Sequence, residues 1–431
     1  MSSPSTGPDR APVGTAPARW VRLPNRPAFW LVACAFGLLH IGANLPSPLY
    51  GVYRQKFDFS AGVPTLVYAS YAVTLIGALL LCGSLSDSHG RKRWVITGSL
   101  LSATASLLLA AAAGVGWLFA ARVLQGVAMG ASGGAATAAL AELAARRTST
   151  QGTSTQGTST QGTGTEVAEA PRGTAKASTV ATIALAGGAA LGPAVSGLLA
   201  EYAAAPLMLG YLSHAAVSVA VAAVLTTWRE RPIGRSAAPR VQRLGVPAGL
   251  RRPFARAAAT MFAIWALVGL FLSIVPSYAA ELLRTGNLAV LGSFPCVLLG
   301  ASCLAQLTAR NAVTGNGVAS GLTMLALGLG AIVLAFPAQS WWPLLAGSVL
   351  AGVGHGLGFA STMRWINDVC PPRRRGEVLS ALYVPLYVGL GIPVIGVGFL
   401  AGIVPLFSAV TVFAVVIGGL ALTTAVWAAR H

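Results

Sequence analysis

The chain reads as an all-α polytopic membrane protein with twelve transmembrane helices, on three observations. Hydrophobic residues make up 55% of its 431 residues and charged residues only 9%, against about a quarter charged in soluble domains. A surface so poor in charge has to face lipid. The apolar residues also gather in about twelve continuous runs of membrane-spanning length. Finally, the cations collect in the connections on one side of those runs. A strand barrel is excluded, because its segments alternate rather than run continuously.

A spanning helix needs about 20 mostly apolar residues, from about 30 Å of hydrocarbon and a 1.5 Å rise per residue. The runs are 28–50, 63–82, 94–113, 116–143, 176–199, 205–227, 255–279, 288–309, 317–337, 341–364, 377–402 and 404–429. Residues 1–27, rich in Pro, Ser and Arg, read as a disordered cytoplasmic tail. The first run is too long for a signal-peptide core and reads as an uncleaved span. Trp30, Trp94, Trp117, Trp228, Trp341, Trp342 and Trp427 sit at run ends, as an interfacial belt does. Trp265, Phe271, Tyr71 and Phe294 lie deeper, where they either line a cavity or pack.

Loop cations set the orientation. The tail and the even-numbered connections hold nearly all of them, among them Arg91 to Arg93, Arg146, Arg147, the arginines of 229–256, and Arg373 to Arg375. The opposite side holds only Arg54, Lys56 and Arg284. Both termini are therefore expected in the cytoplasm, with a bacterial inner membrane as the setting. The net charge of +18 belongs to this asymmetry. No basic stripe with interleaved aromatics points to nucleic acid.

The basic connection divides the chain into a six-helix bundle over 28–228, a central linker over 229–254 and a second six-helix bundle over 255–431. The halves echo each other. Val123-Leu-Gln-Gly-Val-Ala-Met-Gly130 matches Val349-Leu-Ala-Gly-Val-Gly-His-Gly356. Glu142 followed by Arg146 and Arg147 matches Asp368 followed by Arg373 to Arg375, which suggests cytoplasmic charge pairs at Glu142, Asp368 and Arg375. The first half carries an insertion, 148–170, built on tandem copies of Thr-Ser-Thr-Gln-Gly. Polar low-complexity sequence buries no core, so it is expected to be a disordered linker.

The stretch Gly83-Ser-Leu-Ser-Asp-Ser-His-Gly-Arg-Lys-Arg93 joins the second and third runs. It resembles the loop between helices 2 and 3 of the major facilitator superfamily of transporters. All seven specified positions match: Gly83, Leu85, Asp87, Gly90, Arg91, Lys92 and Arg93. The resemblance implies two bundles that rock about a midplane site, with Asp87 latching one conformation. Asp87 can accept hydrogen bonds from a neighbouring helix N-terminus, where the macrodipole favours an anion. The three cations also anchor topology.

Leu118-x-x-x-Arg122-x-x-Gln125-Gly126 resembles the family's second motif. A cation within a span costs about 2.5–3.5 kcal/mol on insertion scales, so Arg122 is expected to face a partner or a water-filled cavity, or to snorkel outward. Gly188-x-x-x-Gly192-Pro193-x-x-Ser196-Gly197 resembles the antiporter motif, with Ser196 in place of one glycine. Small residues four apart permit close helix contact, and Pro193 bends the helix. This motif implies export by exchange. His40, Asn44, Arg122 and His355 are the candidate cavity or coupling residues. The first helix has no Asp or Glu, a departure from many drug exporters that leaves the coupling ion open. His40, His214 and His355 are the mid-membrane groups that titrate near neutral pH.

Neither H-E-x-x-H nor a P-loop is present, so no enzyme activity is expected. No cysteine pair has metal-ligand spacing, and neither cofactor nor metal is expected. The leading expectation is a monomeric secondary transporter in the lipid bilayer that exports amphipathic or apolar small molecules, with protons as the candidate exchange ion. An uptake symporter or uniporter for a sugar or organic acid is the alternative. A non-transporting receptor or scaffold is the third reading.

Overall fold

A computed structural model describes residues 25–60, 62–82, 90–152, 170–228, 230, 245–312, 316–371 and 374–430. Among these, twelve helices are long and apolar enough to cross a membrane. In chain order they are α1 (Asn25–Phe57), α2 (Val63–Leu81), α3 (Arg91–Ala110), α4 (Val115–Arg146), α5 (Ala175–Tyr202) and α6 (Leu209–Thr226). The second half holds α7 (Ala248–Ser273), α8 (Leu288–Ala309), α9 (Gly317–Ala335), α10 (Trp341–Val369), α11 (Arg375–Leu400) and α12 (Leu406–Ala429). Each expected run becomes a helix, because backbone in lipid has to satisfy its own hydrogen bonds.

Several boundaries differ from expectation. The first helix begins at Asn25, inside the expected tail. The helix of α7 takes up the end of the expected linker, starting with a 3-10 turn at Ala248. Arg251 and Arg252 are exposed at its start, where a long stem lets a cation keep its head in water. The helix of α4 continues to Gly152, so the first copy of the polar repeat is helical rather than disordered. Extending an existing helix adds a hydrogen bond per residue without a new nucleus. Residues 153–169 lie outside the described residues.

Two spans break in the same way. In α1 the α-helix ends at Asn44, passes through a 3-10 turn at Ser47–Leu49 and resumes over Tyr50–Phe57. Pro46 and Pro48 lack the N–H that would continue the ladder. In α7 the helix stops at Ser273 and resumes over Val275–Leu283, with Pro276 at its start. A π-turn at Ile183–Gly187 and Pro193 interrupt α5.

The packing repeats with an offset of six helices. In the first half α4 packs on α2, α3 and α1, α3 packs on α6, and α1 packs on α5; the corresponding pairs recur in the second half. Glycines make this possible. Gly126 and Gly130 of α4 lie against the Tyr71 and Leu75 carbonyls of α2, with no room for a Cβ. Gly352 and Gly356 of α10 lie in the same way against the Leu298 and Ser302 carbonyls of α8. The halves meet through two mirrored pairs, α2 with α11 and α5 with α8.

Candidate functional site

The break in α1 explains the buried cation. Without an N–H on Pro46, the Gly42 carbonyl loses its helical partner, and the turn at Ser47 does the same to Ala43. Helix α4 supplies both partners. Arg122 Nη1 donates to the Ala43 carbonyl at 2.5 Å, and Gln125 Nε2 donates to the Gly42 carbonyl at 2.9 Å. A second bond from Arg122 Nη1 reaches Gln125 Oε1 at 2.9 Å, while Nε and Nη2 both donate to the Tyr50 hydroxyl. The guanidinium carbon lies 5.5, 5.7 and 5.9 Å from the ring centres of Tyr50, Tyr68 and Tyr71. Arg122 is 1% exposed. The negative end of a helix, a hydroxyl and three ring faces replace a carboxylate.

In front of Tyr68 and Tyr71 lies a cavity of about 480 Å³ between the halves. Its first-half wall includes Phe36, His40, Asn44, Met129 and Leu185; its second-half wall includes Trp265, Gln306, His355, Phe359, Tyr383 and Tyr387. No Asp, Glu, Lys or Arg is among the described lining residues. Gly134, Thr137 and Ala141 form one stripe of α4 that lines the cavity and is also exposed, so the cavity is open towards the end that carries Glu142. Its other end is closed by buried Asn44, Leu272 and Leu390.

Of the expected cavity residues, His40, Asn44 and His355 line this space, while Arg122 stands one layer behind it. His40 Nδ1 bonds its own helix at the Phe36 carbonyl, 2.9 Å away, and Asn44 Nδ2 donates to the His40 carbonyl at 2.8 Å. His214 stands apart, with Nδ1 bonded to Ser106 at 2.8 Å and Nε2 to the Leu38 carbonyl at 2.9 Å. Both its nitrogens are occupied by structural partners. Among the deep aromatics, Trp265 and Tyr71 line the cavity; Phe271 and Phe294 pack in the core instead.

The closed end is a seam of small residues. Gly188 and Gly192 of α5 approach the Gly37 and Ile41 carbonyls of α1 so closely that a Cβ does not fit. One turn on, Gly197 meets the Leu288 carbonyl, and Gly292 of α8 meets that of Pro193. Glu201 Oε2 accepts the backbone N–H of Leu288 at 2.8 Å and so caps α8 from the other half. The mirrored seam brings Gly398 of α11 against the Thr65 side chain of α2.

At the opposite end, Gly83, Leu85 and Asp87 lie outside the described residues. The start of α3 is held by charge. Arg91 Nε bonds Glu142 Oε1 at 2.6 Å, joining α3 to α4. The Glu230 carboxylate accepts the backbone N–H groups of Arg91 at 2.8 Å and Lys92 at 3.1 Å, capping α3. Lys92 Nζ returns to the end of α6, donating to the carbonyls of Thr226 and Trp228. Gly90 has φ of +89°, a backbone conformation that calls for glycine, and a Cβ there would also push on Glu230 Oε2, 2.8 Å away. Arg93 is exposed. In the second half Arg375 Nη2 donates to the Asn367 carbonyl at 2.8 Å. Asp368 is exposed, beside a shallow pocket that also holds Arg256 and Arg364.

Sequence reasoning overlooked Glu230, Glu201, Ser302, Gln306, Tyr383 and Tyr387. The two tyrosines, four apart on α11, carried a legible helix-face signal; the carboxylates carried none, because each acts on a helix remote in sequence.

The sequence model of the Major Facilitator Superfamily matches residues 32–165. No curated protein matches the sequence. Among solved structures, a bacterial homologue of the human lysosomal transporter Spinster, inward-facing and occupied, superposes with a TM-score of 0.70 at 14% identity, covering 97% of this chain and 98% of that one. A POT family transporter in complex with 5-aminolevulinic acid gives 0.70 at 10% identity, over 94% and 96%. The nucleoside transporter NupG gives 0.63 at 12% identity, over 94% and 99%. The family's sequence model thus matches α1 to α4, and the whole chain has the twelve-helix fold of these solved transporters.

Proposed function

We propose that this chain exports small amphipathic or apolar molecules by alternating access, with protons as the exchange ion. The carrying observation is the cavity between the halves, apolar and aromatic, without a described charged side chain in its wall and closed at one end by the α5–α8 and α2–α11 seams. Its open end carries Arg91 and Glu142. The loop cations put that end in the cytoplasm, so this is the state that loads cargo from inside. Opening the seams while closing the Glu142 end would release it outside. Of the antiporter-like glycines, Gly197 lies in the α5–α8 seam that has to part, while Gly188 and Gly192 hold α5 against α1 of the same half.

The test is flux in proteoliposomes with an imposed pH gradient. Export driven by the gradient is expected, and Asp87→Asn is expected to lose flux while remaining folded. Flux indifferent to the gradient would remove proton exchange from the reading. A non-transporting scaffold would leave Asp87→Asn without effect.

The second reading is an uptake carrier or uniporter for a sugar or organic acid. One observation favours uniport over exchange: no described carboxylate lines the cavity, so the usual proton carrier is missing from its wall. Equal downhill flux in both directions, without pH response, would select it.

A further inference from the structure

Two residues of the cavity's second-half wall, His355 and Trp265, each carry a buried nitrogen without a partner among the described residues. Gln306 Nε2 donates to Ser302 Oγ at 3.1 Å, and Ser302 Oγ is 2.7 Å from His355 Nδ1. A hydroxyl has one proton and two acceptor lone pairs; Nδ1 is the only acceptor within reach of the buried Ser302 hydroxyl among the described residues, so its proton goes there. The imidazole proton then sits on Nε2. His355 is 5% exposed, and its Nε2 is buried without a partner among the described residues. Trp265 Nε1, a donor only, is buried without a partner as well. The two rings are neighbours, edge to face at 5.8 Å between centres.

The contrast with His214 shows what is missing. That histidine has the same serine bond at Nδ1, yet its Nε2 is paired with the Leu38 carbonyl. His355 has the same serine bond without the second partner, in a residue that lines the cavity. Buried donors are almost always paired, so two orphans on neighbouring rings of the cavity wall mark a place where a bound molecule would supply the missing acceptor as the rings turn to meet it. Around them the surface is aromatic: Phe359 stacks on His355 at 6.3 Å, and Tyr387 lies 6.3 Å from Trp265.

We infer that His355 and Trp265 together read an acceptor oxygen on the cargo, which makes the molecules carried uncharged, aromatic or polycyclic, and oxygen-bearing. This rests on the reading of the cavity as the cargo site. The aromatic walls favour flat apolar bodies. A carboxylate is disfavoured as the acceptor, because no described side chain of the wall can form an ion pair with it and Arg122, a layer behind, is already bonded to the Ala43 carbonyl, Gln125 and Tyr50. A carbonyl, ether or nitro oxygen fits. A site built around paired donors discriminates strongly against an analogue lacking the acceptor.

Benzophenone and diphenylmethane test this, since they share two rings and differ by the carbonyl. Binding of each to the full chain in nanodiscs is measured by equilibrium dialysis, corrected with empty nanodiscs. Benzophenone is expected to bind about tenfold tighter after correction. The ratio of the two affinities is expected to fall towards one in both His355→Phe and Trp265→Phe, so that either variant serves if the other fails to fold. Equal binding of the two probes by the parent chain would overturn the donor pair and leave the cavity as the binding site. A preference that survives both substitutions would also overturn it. Binding of neither probe would overturn the cargo-site reading together with the inference.

Discussion

Arg122 is held by atoms that belong to a broken helix. Its value lies in a planar fork that reaches the Ala43 carbonyl, Gln125 and Tyr50 at once. A lysine offers one compact ammonium and no such fork. Hydrogen bonds to charged groups contribute about 1.5–3 kcal/mol each. Arg122→Ala is therefore expected to lose about 3 kcal/mol or more of stability, and Arg122→Lys to recover only part of it. Thermal unfolding of the purified protein and flux per folded molecule check this; a lysine variant equal to the parent in both would refute the capping role. The register Arg122, Gln125, Gly126 was legible in the sequence, as was the cost of a buried cation. Its partners were not. They are carbonyls of α1, identified only once Pro46 is seen to leave them unpaired, and Arg122 lies 79 residues further along the chain than Ala43. Likewise His40 and His355 were legible as mid-membrane histidines, whereas the hydrogen bonds that separate them from His214 come from other helices.

At the scale of elements, the gate is argued from α5 and α8. Gly197→Val would drive a side chain into the Leu288 carbonyl and is expected to part the seam. An impermeant thiol reagent should then reach Asn44→Cys, in a cysteine-free background, faster from the α5–α8 end than it does in the parent. Gly330→Val is the control, because nothing lies within reach of a Cβ there. Unchanged labelling and unchanged flux in the Gly197 variant would mean that the seam is not the gate. Twelve spans could be read directly, because hydropathy reports what lipid demands of a helix. The glycines and Pro193 of α5 were also visible. Their partners on α8 were not, since Leu288 and Gly292 lie on the far side of the central connection. The break in α7 was available and missed: Val275-Pro-Ser-Tyr278 repeats the character of Pro46-Ser-Pro-Leu-Tyr50.

The whole molecule is a duplicated packing plan carrying two different surfaces. The glycine correspondence between α4 and α10 predicted the duplication, and the same helix pairs recur in both halves. The cavity was out of reach, because its walls come from helices of both halves and spacing along the chain does not assemble them. Its electrical character depends on a residue that does not touch it. The Arg122 guanidinium lies 5.7 Å behind the Tyr68 ring centre, so a molecule resting on the far face of that ring would sit about 9 Å from a full positive charge. At an effective dielectric of about 20 this repels a monovalent cation by about 2 kcal/mol, less whatever the carbonyl end of α1 offsets. The tyrosine faces that would otherwise attract cations are already polarised by the arginine. Lipophilic cations should therefore be poor ligands: tetraphenylphosphonium is expected to bind about tenfold more weakly than a neutral compound of the same shape, and Arg122→Gln should narrow that gap. Equal affinity would mean that the helix end cancels the charge completely. A cation that never enters the cavity would thus act as its charge filter.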